Sequence, residues 1–226
     1  MVDVEIQGGV ARIFLNRPEK VNALTSDLLL KLKEKIQLLT AQPLHLAVLA
    51  GRGKAFCGGA DVNELKALTA DNAGAFVEKI HLVCRAIRAL PVPVVAALHG
   101  AVIGGGLEIA AACDLRVAAE GTRFAMPEVK LAIPSVVEAA LLPRLMGQGR
   151  AAWLVLTGAT IDARKALEWG LIEDIGTADA LVQKLLACDR EALTTQKRLL
   201  QMWEEAPLAS SIAASIEEFA RAHMKK

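Results

Sequence analysis

Apolar and polar positions alternate at the start of the chain, and then the period changes. Val4, Ile6, Val10, Ile13 and Leu15 flank a Gly8-Gly9 pair, which predicts an antiparallel hairpin. Thr25-Ser26-Asp27 offers a helix N-cap, after which Leu28, Leu32, Ile36 and Leu39 recur at helical spacing. "LHLAVLAG", from Leu44 to Gly51, predicts a buried strand, followed by the loop "RGKAFCGGAD". The stretch from Ala73 to Ala89 reads as a helix with Val77, Ile80, Cys84 and Ile87 on one face. "VPVVAALHG" predicts the next strand, a triglycine turn and short helix follow, and "LRVAA" predicts another strand. Strands alternating with helices imply a largely parallel α/β core. From about Asp162 the pattern predicts helices only: "ARKALEWG", "DALVQKLLAC", "REALTTQKRLLQMWEE" and "LASSIAASIEEFARAHMKK". In the last of these, Leu208, Ile212, Ile216 and Phe219 form a narrow apolar stripe suited to docking on another surface.

Composition narrows the classes. A chain of 226 residues, 54% hydrophobic and 23% charged, is long enough to bury a sizeable core and is not disordered. The formal net charge of +1, with no clustered Lys/Arg face, gives no footprint for nucleic acid. The four cysteines, Cys57, Cys84, Cys113 and Cys188, form no CxxC pair and read as reduced thiols of a cytoplasmic protein. "MVDVEIQGG" looks like a strand and not like a targeting peptide, and the apolar stretch "PVPVVAAL" is too short to span a membrane.

Several familiar motifs fail on spacing. The triglycine Gly104-Gly105-Gly106 is no dinucleotide fingerprint, because Ile109 stands where the third glycine is required. Gly53-Lys54 is no phosphate loop, because Val48 occupies its first glycine position. Ser135 lacks the glycines of a nucleophile elbow. His45, His81, His99 and His223 show no metal-binding spacing, so neither a metal nor a redox cofactor is expected.

What remains is two glycine-rich loops, "FCGGAD" and "IGGGLE", and two carboxylates, Glu108 and Glu128. Small residues in such loops allow two backbone N–H groups to converge on one ligand oxygen. Two such donors stabilise negative charge developing on a carbonyl oxygen. Two carboxyls beside them can divide acid and base roles when their surroundings separate their pKa values. Apolar neighbours such as Leu107 and Ile109 should raise a carboxyl pKa and keep one group protonated near neutrality. Asp61 and Asp114 read as turn or cap residues.

At these residues the chain resembles the crotonase (enoyl-CoA hydratase/isomerase) superfamily. "LNRPEKVNAL" is similar to its N-terminal signature, and "GKAFCGGADVNEL" to the loop whose alanine supplies the first oxyanion N–H, here Ala60. "HGAVIGGGLEIAAACDLRVA" resembles the loop supplying the second, here from Gly105, and "TRFAMPEVKLAIP" the segment bearing the second catalytic glutamate, here Glu128. The resemblance implies a crotonase (ClpP-like) α/β spiral of ββα units with a helical C-terminal region. It also implies an acyl-CoA-binding core over residues 1–161 and a shortened helical oligomerisation region over 162–226. Val21, Ala60, Asp61, Val62, Asn63, Gly104 and Gly105 become the substrate- and CoA-binding candidates. Because both Glu108 and Glu128 are present, the implied reaction is hydration of an enoyl-CoA thioester in fatty acid metabolism, in a homotrimer or dimer of trimers. CoA is then part of the substrate and no cofactor is needed. A Δ3-Δ2 enoyl-CoA isomerase working through Glu128 or Glu138 alone, or an idle acyl-CoA-binding homologue, are the alternatives. Three departures stand out. "PSVVEAALLPRL" replaces a glycine-rich segment and brings in Glu138, read as an exposed residue in the first turn of a helix. Asn63 stands where the family often has a lysine, which removes one phosphate or adenine contact. The end at "ARAHMKK" implies that the last helix is missing.

Overall fold

The computed structural model describes residues 1–224. Strands β1 (Val2–Gln7) and β2 (Val10–Leu15) lead through α1 (Ser26–Leu39) to β3 (Leu46–Gly51). Then come α2 (Val62–Lys66), α3 (Ala73–Ala89), β4 (Val94–Leu98), β5 (Ala101–Ile103), α4 (Gly105–Ala111), β6 (Leu115–Ala118) and β7 (Arg123–Ala125). After two single helical turns the chain continues as α5 (Leu142–Met146), α6 (Gln148–Thr157), β8 (Thr160–Asp162) and α7 (Ala163–Trp169). It closes with β9 (Asp174–Ile175), α8 (Asp179–Leu186), α9 (Arg190–Glu205) and α10 (Leu208–Met224).

The larger sheet has the order β1-β2-β3-β4-β6-β9 and the smaller one β5-β7-β8. The β1–β2 hairpin is antiparallel, as the Gly8-Gly9 turn predicts, and the remaining pairs of the large sheet are parallel. β3 shows why it reads as continuously apolar: both its faces are covered. Ala47 and Leu49 join the main core with Leu28, Leu32, Ile80 and Val83, while Leu46 and Val48 pack on Val182 of α8. α1 begins where Thr25 Oγ1 accepts the Leu28 N–H at 3.2 Å.

The smaller sheet decides the site. After β3, β4 and β6 the chain bends into a second short extended piece before its next turn. Cys57 pairs in parallel with Val102 of β5, and β5 pairs in parallel with β7. The segments that follow, 58–60, 104–105 and 126–128, therefore stack at one edge, beyond the ends of parallel strands where α/β folds bind ligands.

One expectation is corrected. The region after Asp162 is not helical throughout, because β9 extends the large sheet by pairing with β6 at Val117↔Asp174 and Ala118↔Ile175. Two residues show no period, so only the open edge of β6 makes them a strand. The final predicted helical stretch forms α10, which runs from Leu208 to Met224 and packs on α9. No helix among the described residues is long and apolar enough to cross a membrane.

Candidate active site

The cavity at this edge measures about 420 Å³. Gly58, Gly59, Ala60, Val62, Gly104, Gly105, Glu108 and Glu128 line one side, and apolar residues of α3 such as Phe76, Val77 and Ile80 the other. Val21, Asp61 and Asn63 lie outside this lining.

The first loop is set by local pairing. Leu24 donates its N–H to Gly59 O and accepts from Asp61 N, both at 2.8 Å. In an extended chain the intervening Ala60 N–H points away from Leu24, no described residue accepts it, and Ala60 lines the cavity. The segment "RPEKVNA" holds this loop from behind. Arg17 Nη1 is 2.6 Å from Asp61 Oδ2, and it holds the Asp61 carboxyl below the usual carboxylate range. Asn22, fully buried, donates from Nδ2 to Arg52 O at 2.9 Å and Ala55 O at 2.8 Å. Val21, at φ +55°, accepts the Gly58 N–H through its carbonyl. Asp61 is thus occupied by Arg17 and by the Asn63 N–H that it caps.

The second loop answers why three glycines occur together. Gly104 takes φ +51°, and a Cβ there would collide with Glu128 Oε1. A Cβ on Gly105 would come within 2.9 Å of Leu24 and 3.1 Å of Ile80, and one on Gly106 within 2.6 Å of Cys57. The Gly104 N–H is taken by Ala125 O, whereas the N–H of Gly105, first in α4, has no acceptor among the described residues.

One turn into α4, Glu108 is buried, with only 4% of its surface exposed. Burial first, then the charge of Glu128, pushes its carboxyl up to about 8, against the opposing hydrogen bond from Ala139 N. At neutral pH it is therefore protonated, as its apolar neighbours predict. Glu128 opens the single helical turn Glu128–Leu131 after β7, is half-buried, and accepts a hydrogen bond from Ser135 Oγ at 3.0 Å.

Residues 5–224 match the family described as enoyl-CoA hydratase/isomerase. The chain belongs to the enoyl-CoA hydratase/isomerase family. Among its relatives, it is 36% identical over 185 residues to the crotonyl-CoA hydratase of Syntrophomonas wolfei, covering 80% of this chain and 71% of that one. It is 34% identical over 228 residues to the short-chain-enoyl-CoA hydratase of Clostridium acetobutylicum, covering 96% of this chain and 87% of that one. The solved enoyl-CoA hydratase of Mycobacterium smegmatis superposes with a TM-score of 0.94 at 30% identity, over 99% of this chain and 91% of that one. The fold is therefore the crotonase fold.

Against this family background, one expectation fails. Glu138 is not exposed: it is buried in the single helical turn Val137–Leu141 and bonded to His81. Sequence reasoning also missed Arg17, Asn22 and Ser135 as supports of the site. An asparagine between a valine and an alanine carries no local sign that its amide will bridge carbonyls about thirty residues away.

Proposed function

We propose that this protein is an enoyl-CoA hydratase, adding water across the 2,3 double bond of an enoyl-CoA thioester. The reading is supported by Ala60 and Gly105, whose N–H groups have no acceptor among the described residues, lining one largely apolar cavity together with Glu108 and Glu128. The thioester oxygen accepts from the Ala60 and Gly105 N–H groups, which stabilise the enolate charge built up there. Water attacks Cβ and gives a proton to Glu128, which Ser135 orients. Glu108, protonated, delivers its proton to Cα. The product then carries the O–H of water at Cβ and the former Glu108 proton at Cα, with Glu128 protonated and Glu108 ionised, and the water proton held by Glu128 passes to Glu108 before the next turnover. No electrons are exchanged, so the reaction as written needs no redox cofactor. Val62 in the cavity lining and Val21, Asp61 and Asn63 outside it are assigned to the CoA part of the substrate, Asp61 by holding the first loop through Arg17. A homotrimer or dimer of trimers, with residues 162–226 as its oligomerisation region, and a cytoplasmic location complete the proposal.

Assays of Glu108→Gln and Glu128→Gln on a 2-enoyl-CoA and on a 3-enoyl-CoA test the reading. Each substitution should cut hydration by about 10²–10⁴-fold. Near wild-type hydration by Glu108→Gln, or double-bond migration without hydration by the wild type, makes the protein a one-base isomerase instead. Absence of both activities leaves an acyl-CoA binder.

A further inference from the structure

Glu138 has no part in the reaction proposed above, yet it is buried beside it. It does not line the acyl cavity. Its Oε1 is 2.7 Å from His81 Nδ1 on α3, and the His81 side chain is 47% exposed. Its Oε2 is buried with no hydrogen-bond partner. The next residue, Ala139, donates its N–H to Glu108 Oε1 at 3.3 Å. One helical turn is thus bonded to an exposed imidazole on one side and to the buried acid on the other.

Burial and then the charge of Glu128 raise the Glu108 carboxyl most, and Glu138 adds to them. A hydrogen bond to the charged form of a carboxyl favours its ionisation. Glu138 has His81 Nδ1 at 2.7 Å and the Cys84 thiol beside it, whereas the hydrogen bonds to Glu108 come from backbone N–H groups.

We infer that His81 and Glu138 form a positioning pair that keeps the proton on Glu108. His81 Nδ1 hydrogen-bonds Glu138, and negative charge on Glu138 disfavours a second one on Glu108. The inference deepens the hydratase reading and rests on it only for the use made of the Glu108 proton. The other groups facing the pair are few. Glu128 faces Glu108 from the turn after β7 and also favours its protonated form. The Cys84 thiol of α3, with Cys113 beyond it, is pushed up by burial and by Glu138 and Glu108, and stays neutral. α5 packs on the turn as well, but its Arg144 is directed to Glu204 of α9.

The test compares wild type, Glu138→Gln, His81→Phe and the double variant in two measurements. In the pH profile of kcat/KM, the high-pH limb follows loss of the Glu108 proton. Glu138→Gln keeps the size of the side chain and removes the charge, so the limb should move to lower pH by about one unit, a tenfold change in the protonation equilibrium. His81→Phe should move it the same way, because Glu138 then competes for the proton. The double variant should move no further than Glu138→Gln alone, since both substitutions disable one device. The second measurement is a carbon-13 NMR titration of glutamate carboxyls in the ligand-free protein, with Glu108 assigned by the signal lost in Glu108→Gln. It reads the same shift without catalysis, so it decides the matter even if the protein hydrates nothing. A uniform fall in activity with an unmoved limb and an unmoved Glu108 titration overturns the inference and leaves Glu138 a packing residue. Should Glu138→Gln fail to fold, His81→Phe, at a half-exposed site, carries both measurements.

Discussion

At Gly104 the backbone takes φ +51°, and any side chain there would run into Glu128 Oε1. The residue therefore acts on chemistry only by being absent from the space the carboxylate needs. Gly104→Ala should displace Glu128 by the order of an ångström, which costs about 10²-fold in turnover when a reacting group is misplaced. Backbone strain at a positive φ should remove a further ~1–3 kcal/mol of stability. Hydration kinetics and thermal unfolding on the same sample separate the two effects. Wild-type turnover by Gly104→Ala would show that Glu128 has room to move. Glu108 illustrates the opposite device, a side chain whose chemistry comes from burial. Its carboxyl is pushed up to about 8 by burial first, with Glu128 adding charge repulsion.

α9 illustrates control at the scale of an element. It crosses the outside of the molecule, yet Lys197 reaches inward and is buried against Asp114, with Nζ 2.9 Å from Oδ2. The same ammonium donates to Ile87 O at 3.2 Å and Val92 O at 3.1 Å, carbonyls at the end of α3 and before β4. Asp114 in turn accepts the Val94 N–H at 2.7 Å, so one charge pair ties three elements together. Asp114 is structural, as its turn-like setting implies. Lys197→Ala leaves a partly buried aspartate and two carbonyls unpaired and should cost about 3–5 kcal/mol, the range for breaking a buried pair. Urea unfolding of the variant measures this. A change below about 1 kcal/mol would mean that water replaces the ammonium.

The whole molecule leaves one face of α10 uncovered. Leu208, Ile212, Ile216 and Phe219 are all exposed, with Phe219 at 69%, and Trp203 of α9 flanks them. Apolar surface in a continuous stripe is a mark of association. Light scattering should therefore give three or six copies, and Ile216→Glu should shift the mass downward. A wild-type protein that is monomeric and active removes the trimer from the proposal. The substrate class is a property of the whole molecule too, because it depends on cavity and loops together. Calorimetry with acetoacetyl-CoA should show binding, and with free acetoacetate none. Equal affinity for the two would end the CoA-thioester reading.

What the sequence determined by itself is whatever a short window of residues can force. The β1–β2 hairpin follows from apolar alternation about two glycines, α1 from Thr25 and a helical period, and α3 from Ala73 to Ala89 from its apolar face. The two glycine-rich loops and the carboxyls Glu108 and Glu128 were legible for the same reason, since three glycines before a buried acid serve no ordinary helix. Tertiary structure decided what depends on distant chain segments meeting. β9 is a strand only because β6 offers an open edge, and the Ala60 N–H is left without an acceptor where Leu24 pairs with Gly59 and Asp61 on either side of it. Arg17 and Asn22 became supports of the site only when the folded chain laid the "RPEKVNA" segment behind the first loop. Glu138 looked like a surface residue because its partner His81 lies 57 positions away, beyond the reach of any local pattern. Its burial exists only where α3, α4 and the turn between β7 and α5 come together.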